Sequence, residues 1–203
     1  VTAGVRFNRE SKSGDRRLVI LGGPTNTAQN VVVPPNANYS QRTLLKATWE
    51  ALRVVEHSIS ADFTESSTTP MANIQYDITP DLMVYASYAK GVKAGGFDIR
   101  SNALPTTAAF PGAFQFRPEK ADSYEGGFKY KSRDFAIAIS YYNTKYKDLQ
   151  TSLFDGGIGF NVTNASAAKV QGVEAEGRLG IGDHIRINGS VAYLDYKFTN
   201  FRQ

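Results

Sequence analysis

Alternation of polar and apolar side chains with a period of two runs through most of the chain, and it limits the possible folds more than any other property of the sequence. A period of two puts successive residues on opposite sides of an extended strand, so each such run is a ribbon with one oily and one wet face. Between Ala121 and Tyr130, Ser123, Glu125 and Lys129 fall on one face and Tyr124, Phe128 and Tyr130 on the other. Phe135, Ile137, Ile139 and Tyr141 share a face in the next run, opposite Ala136, Ala138, Ser140 and Tyr142. Glu174, Glu176 and Arg178 oppose Val173, Ala175 and Leu179; Arg186, Asn188 and Ser190 oppose Ile185, Ile187, Val191 and Tyr193. A helical pattern surfaces only loosely, around Thr48 to Val55. The chain is predicted to be all-β.

The connections add direction, because their lengths alternate. Ile78 to Asp81, Lys131 to Asp134 and Gly180 to Asp183 are tight polar links, whereas Ser11 to Asp62, Gly91 to Arg117 and Asp148 to Phe160 are longer and hold most of the Pro, Asn, Thr and Gly. Short turns at one end and long loops at the other suit an antiparallel, up-and-down transmembrane β-barrel. Composition alone would favour a soluble sandwich or barrel. Two features weigh against that reading. Several runs are about 10 to 15 residues long, where soluble strands average about 5 or 6 and a tilted membrane strand needs about 9 to 11. Tyrosines also sit near the ends of the oily faces, at Tyr76, Tyr85, Tyr88, Tyr130, Tyr141, Tyr193 and Tyr196, where aromatic girdles would meet water.

Composition removes other classes. The 203 residues contain no Cys, which excludes a disulfide framework, a thiolate metal site and a cysteine nucleophile. The net charge of +4 comes from 23 Lys and Arg scattered along the chain against 19 Asp and Glu, with no basic run to track phosphates, so no nucleic-acid partner is expected. The charge-free stretch between Arg17 and Arg42 is broken by Gly22-Gly23-Pro24 and Pro34-Pro35 and cannot be a spanning helix. Val1 to Phe7 lacks the pattern of a signal peptide. His57 and His184 are too few and too far apart for a metal site, and no serine sits in a nucleophile elbow. Glu174 and Glu176, about 7 Å apart along one strand face by the rise per residue, could suit glycosidase chemistry, but alternation alone yields the same pair. No catalytic residue, metal or cofactor is expected.

The strands are expected near Thr2–Glu10, Phe63–Asp77, Leu82–Lys90, Pro118–Tyr130, Phe135–Lys147, Asn161–Leu179 and His184–Thr199. About seven strands cannot close as a bacterial barrel, and an open sheet edge cannot face lipid, so the chain is expected to be a segment of a larger barrel.

The run Tyr76-Asp-Ile-Thr-Pro-Asp-Leu-Met-Val-Tyr-Ala-Ser-Tyr-Ala-Lys-Gly-Val-Lys-Ala-Gly-Gly-Phe97 resembles the middle barrel of TonB-dependent outer-membrane receptors of the siderophore-receptor type. Phe116-Arg-Pro-Glu119, Ser123-Tyr-Glu-Gly-Gly-Phe-Lys129, Tyr146-Lys-Asp-Leu-Gln150, Asn164-Ala165, Gln171-Gly-Val-Glu-Ala-Glu176 and Ala192-Tyr-Leu-Asp195 continue the resemblance in the family's order. No counterpart of the family's plug domain or of the box that contacts TonB is found here. The resemblance implies a plugged barrel in the outer membrane of a Gram-negative bacterium, bathed by its lipid, taking up a ferric siderophore or another scarce nutrient with energy relayed by TonB. A passive porin-like barrel and a soluble carbohydrate-binding β-sandwich are the alternatives.

Within that picture Glu125, Lys129, Glu174, Glu176 and Arg178 point into the lumen and would seat the plug, unless they pair across neighbouring strands or are merely hydrated. Phe97, Arg100, Phe110, Phe114, Phe116 and Phe154 lie in the outer loops, where aromatic rings and an arginine suit an anionic, ring-bearing iron complex that arrives already chelated. Loop aromatics can equally pack a loop against itself.

Overall fold

A strand buries its backbone polarity only by lateral pairing, so alternating runs joined by tight turns settle beside their sequence neighbours. The computed structural model describes residues 1–18, 57–100, 114–154 and 159–201. Its elements are β1 (Thr2–Leu18), β2 (His57–Thr79), β3 (Leu82–Lys93), β4 (Gly96–Phe97), β5 (Gln115–Phe116), β6 (Glu119–Lys131), β7 (Phe135–Phe154), β8 (Phe160–Ile181) and β9 (Ile185–Phe201). Seven of them form one sheet in the order β1-β2-β3-β6-β7-β8-β9, with every pair antiparallel, while β4 and β5 form a separate two-stranded ribbon.

The three tight links lie together at one end. Thr79 Oγ1 accepts from the amides of Asp81 and Leu82, Ser132 N donates to Phe135 O, and Gly182 takes φ +58, a left-handed conformation natural to glycine. Neighbouring turns are also joined, Lys131 N to Asp81 O at 2.8 Å and Gly180 N to Asp134 O at 2.6 Å.

One face of the sheet carries an apolar band: Ala3, Val5 and Phe7 on β1, Ala72 to Ile78 on β2, Leu82 to Tyr88 on β3, Tyr124 to Tyr130 on β6, Phe135 to Tyr141 on β7, Val173 to Leu179 on β8 and Ile185 to Tyr193 on β9, taking alternate residues. These side chains are not sealed in a core, since Val173 is 41% and Ile187 53% exposed. A soluble domain would not leave so broad an oily face uncovered. One hydrogen-bonded row runs Ala3, Ala72, Tyr88, Tyr124, Asn143, Gln171, Asp195. On β1 that row enters the apolar segment, and on β9 it has already left it. A level lipid slab crosses rows in this way only if the strands tilt, as barrel strands do.

Aromatic pairs mark both rims of the band, Tyr88 with Tyr124 at 5.0 Å between centroids and Tyr130 with Phe135 at 6.1 Å. Two of the seven expected girdle tyrosines belong elsewhere. Tyr85 pairs with Gly127 and Tyr196 with Val170, which puts both on the charged face; their place near strand ends misled because it ignored parity.

The strands also outrun the expected ends. β1 continues to Leu18 and β2 starts at His57, paired residue by residue through Ser, Thr and Asp positions, and β7 and β8 narrow the connection expected from Asp148 to Phe160. Above the membrane both faces meet water or other protein, so pairing persists without the apolar alternation that reveals it. The expected helical window at Thr48 to Val55 lies outside the described residues.

Candidate functional site

The inner face holds the charges. Glu174, Glu176 and Arg178 on β8 are flanked by Ser140, Ala138 and Ala136 on β7 and by Ala192, Ser190 and Asn188 on β9. Glu125 and Lys129 on β6 face Ser87 and Met83 on β3 and Tyr142 and Ala138 on β7. Register thus gives each charge neutral neighbours on both sides. Among the described residues these five make no ion pair with one another: Tyr85 donates its hydroxyl to Glu125 at 2.6 Å, and Lys129 Nζ lies 5.7 Å from the centre of the Tyr85 ring.

Two cavities of about 670 and 380 Å³ involve this wall, and Lys129, Ala138, Glu176 and Ser190 line both. Tyrosine rings lie over glycines here. A Cβ at Gly127 would meet Ile139 O and, at 3.0 Å, the Tyr85 ring; one at Gly172 would meet Tyr193 O and, at 2.6 Å, the Tyr142 hydroxyl. The wall therefore presents separated charges, both signs, with spare hydrogen-bonding capacity toward whatever enters.

At the loop end a strap crosses the mouth. Residues 94–98 and 114–118, held as a ribbon by β4 and β5, pack on β1: Lys12 Nζ donates to Gly95 O at 2.8 Å, and a Cβ at Gly14 would strike the Phe97 ring at 2.5 Å. Arg16, only 6% exposed, donates from Nη1 to Asp98 O (3.1 Å) and from Nε to His57 Nε2 (2.9 Å), and its guanidinium lies 5.0 Å over Phe114. Burial pulls the Arg16 pKa below its ordinary value while the Asp98 charge pushes it back up. The buried Asp98 carboxylate accepts from Arg100 N (3.1 Å) and Nε (3.3 Å) through Oδ1 and from Val162 N (2.8 Å) through Oδ2. Since β1 and β8 are separated in the sheet by β2, β3, β6 and β7, contacts from this one segment to Arg16 and Val162 mean that it spans the concave side.

A second cluster ties the strap's base. Arg117 N donates to Asn164 Oδ1 at 2.6 Å, and Asn164 Nδ2 donates to Arg117 O and Asp148 O at 2.8 Å each. Arg117 Nη2 meets Asp148 Oδ1 at 2.8 Å. Gln150 donates its backbone amide to Glu119 Oε2 at 3.0 Å and its Nε2 to Ala94 O and Arg117 O. Asp148 sits at φ 54 in the register shift between Tyr146 and Leu149, a bulge that re-aims these side chains. Three short motifs that look unrelated in sequence, 116–119, 146–150 and 164–165, converge here; of their residues the sequence assigned only Phe116 to a site, and Arg117, Asp148, Gln150 and Asn164 were missed.

Phe114 is 1% exposed and stacks on Phe97 at 5.0 Å, and Phe116 lies against Gly96, so these three rings serve the strap's own packing. Arg100 and Phe154 instead face solvent, 68% for the arginine side chain and 56% for the phenylalanine, which pairs with Phe160 at 5.4 Å. Phe110 lies outside the described residues. Among the described residues no cluster of His, Cys, Asp and Glu could hold a metal ion.

The family model described as TonB dependent receptor-like, beta-barrel, matches residues 1–202. The metal-pseudopaline receptor CntO of Pseudomonas aeruginosa is 26% identical over 143 residues, covering 69% of this chain and 18% of that receptor. Among solved structures, the ferric yersiniabactin uptake receptor FyuA from Yersinia pestis aligns with TM-score 0.51 and 24% identity over 70% of this chain and 21% of that one. The siderophore receptor PirA from Pseudomonas aeruginosa aligns with TM-score 0.55 and 15% identity over 70% and 32%. The chain thus spans about a fifth of the length of the curated relative it matches.

Proposed function

Because this chain belongs to the TonB-dependent receptor β-barrel family, we propose that it forms one side of an outer-membrane receptor that takes up a metal chelate, a ferric siderophore or a similar complex, with energy delivered through TonB. Members of the family are receptors and transporters, not enzymes, of the Gram-negative outer membrane. The names of the metal-pseudopaline and ferric yersiniabactin receptors support chelated metal as the cargo class.

The observation that carries the reading is the pairing of an outward apolar band with an inward wall of charges that, among the described residues, form no ion pair with one another, beneath a strapped mouth. Glu125, Lys129, Glu174, Glu176 and Arg178 would seat a plug by accepting its arginines and carboxylates where water is scarce. Arg100 and Phe154, the exposed members of the outer set among the described residues, would meet the anionic chelate first; Phe97, Phe114 and Phe116 would hold the surface that presents them.

In the complete receptor, energised uptake of a radiolabelled ferric chelate should stop when the proton-motive force is collapsed. Uptake of equal rate without that force would remove the receptor reading in favour of a pore. Arg100→Ala with Phe154→Ala should weaken chelate binding by about tenfold, the effect of losing one cation–π or charge contact of about 1.4 kcal/mol; unchanged affinity removes both from the site.

A further inference from the structure

On β7, β8 and β9 the polarity of the sheet inverts toward the loop end. Beyond the tyrosine rim, the inward positions of β7, β8 and β9 are Thr144 and Tyr146, Val170 and Ala168, and Tyr196 and Phe198, none of them charged. Cations gather on the outward face instead. One hydrogen-bonded row reads Lys90, Asp122, Lys145, Lys169, Lys197 across five adjacent strands, and the next pairs Lys120 with Lys147. With Asp195 counted, this stretch sets six lysines against two aspartates.

Three of those lysines stand directly opposite one another, Lys145 beside Lys169 beside Lys197. Directly opposed Cβ atoms lie about 5 Å apart, and like charges at that spacing destabilise a sheet unless an anion lies across them. The protein supplies part of that anion, Asp122 opposite Lys90 and Lys145 and Asp195 beside Lys197 and near Lys169, which leaves the six lysines four charges in excess. Lys197 reaches Asp195 at 3.0 Å, Asp122 accepts from Tyr88 at 3.1 Å, and among the described residues Lys145 and Lys169 make no ion pair. Asp195 is further engaged by Gln171 at 3.1 Å, and Gln171 by Asn143 at 3.3 Å, so the polar belt under the lysines is internally linked.

Position identifies what lies across them. Lys145 and Lys197 are four residues past Tyr141 and Tyr193, about 10 Å above the last lipid-facing rings for strands tilted near 40°. Lysine stems bend back toward the apolar surface and place their ammonium groups at headgroup depth. A row of ammonium groups on the lipid side, at that depth and at the loop end only, fits phosphate carried on lipid.

We propose that Lys145, Lys169 and Lys197 form a docking surface for phosphate-bearing lipid headgroups of the leaflet that surrounds the loop end of the barrel. The inference rests on the membrane placement proposed above. Each lysine at such a surface strengthens attraction to anionic lipid severalfold, so losing three should weaken it by on the order of a hundredfold.

The test uses the complete receptor carrying Lys145→Gln, Lys169→Gln and Lys197→Gln together, with the triple Lys→Arg variant beside it. Membrane fractionation reads the placement: wild type absent from the outer membrane would sink the receptor reading itself. Binding to vesicles containing diphosphoryl lipid A, to phosphatidylcholine vesicles and to inorganic phosphate reads the docking surface. Wild type and the Arg variant should hold lipid A, the Gln variant should lose it by the factor above while still reaching the outer membrane, and inorganic phosphate should not displace it. Equal retention by the Gln variant, equal binding to phosphatidylcholine, or displacement by free phosphate at matched concentration would each overturn the proposal.

Discussion

Asp98→Asn offers the sharpest test of the strap. The carboxylate side chain is 2% exposed and receives three donors, Arg100 N, Arg100 Nε and Val162 N, while its charge also acts on the buried guanidinium of Arg16. The amide is nearly isosteric, so no cavity opens. One of its two ends must however present N–H to a donor, either at Arg100 or at Val162. An unsatisfied buried donor costs about 1–3 kcal/mol, and hydrogen bonds to a charged group contribute about 1.5–3 kcal/mol each where buried. Arg16 also loses its nearby counter-charge, although its bonds to Asp98 O and His57 remain.

Taking about 3 kcal/mol as the local cost, the opening equilibrium of the strap rises roughly 150-fold. The sheet does not depend on these bonds, so the effect stays local. Amide hydrogen exchange on the complete receptor reads it directly: Gly96, Phe97, Asp98 and Phe116 should lose about two orders of magnitude of protection, with β8 below Asn164 unchanged. Arg100→Ala serves as the contrast, because its guanidinium is exposed and an exposed pair contributes about 0–1 kcal/mol. If Asp98→Asn leaves strap exchange within threefold of wild type, the bridge between β1 and β8 is not what holds the segment.

Three further outcomes follow from the same geometry. Val191→Arg, in the middle of the outward band, should destabilise folding into bilayers by about 2–4 kcal/mol, whereas Ser190→Arg on the inner face should cost well under half of that, read by urea titration in lipid vesicles; equal costs would mean that the faces are assigned the wrong way round. Gly172→Ala should cost about 1–3 kcal/mol through overpacking against Tyr142 and the Tyr193 carbonyl, and Tyr142→Ala in the same chain should recover part of it by removing the ring whose hydroxyl and Cζ lie 2.6 and 2.7 Å from the new Cβ; no recovery would place the strain at the Tyr193 carbonyl. Neutralising Glu174 and Glu176 together as Gln should loosen the plug and raise passive leakage of small solutes through the complete receptor, and a channel as tight as wild type would remove both from the plug contact.

The all-β class, the seven main strands, the tight turns and the division into an oily and a charged face are legible in the sequence because each rests on local rules. Period-two alternation sets the faces, and Thr79, Ser132 and Gly182 close turns within a few residues of themselves. The assignments that failed needed more than local order. Tyr85 and Tyr196 looked like girdle residues by nearness to strand ends, and parity turned them inward. Likewise, β1 and β2 run well past their apolar segments because hydrogen bonds between paired strands are indifferent to side-chain polarity.

The site divides along the same line. Sequence by itself determined that Glu174, Glu176 and Arg178 share a wall opposite Val173 and Leu179, since alternation along one strand is a property of the backbone. Only the tertiary structure decided that those charges make no ion pair with one another among the described residues, that Phe114 is buried by its own loop while Arg100 is not, and that Arg117, Asp148, Gln150 and Asn164 form one cluster. Register between strands and the return of a loop across the sheet bring together residues separated by as many as 83 positions, as Lys12 and Gly95 are, and no local pattern encodes a contact of that span.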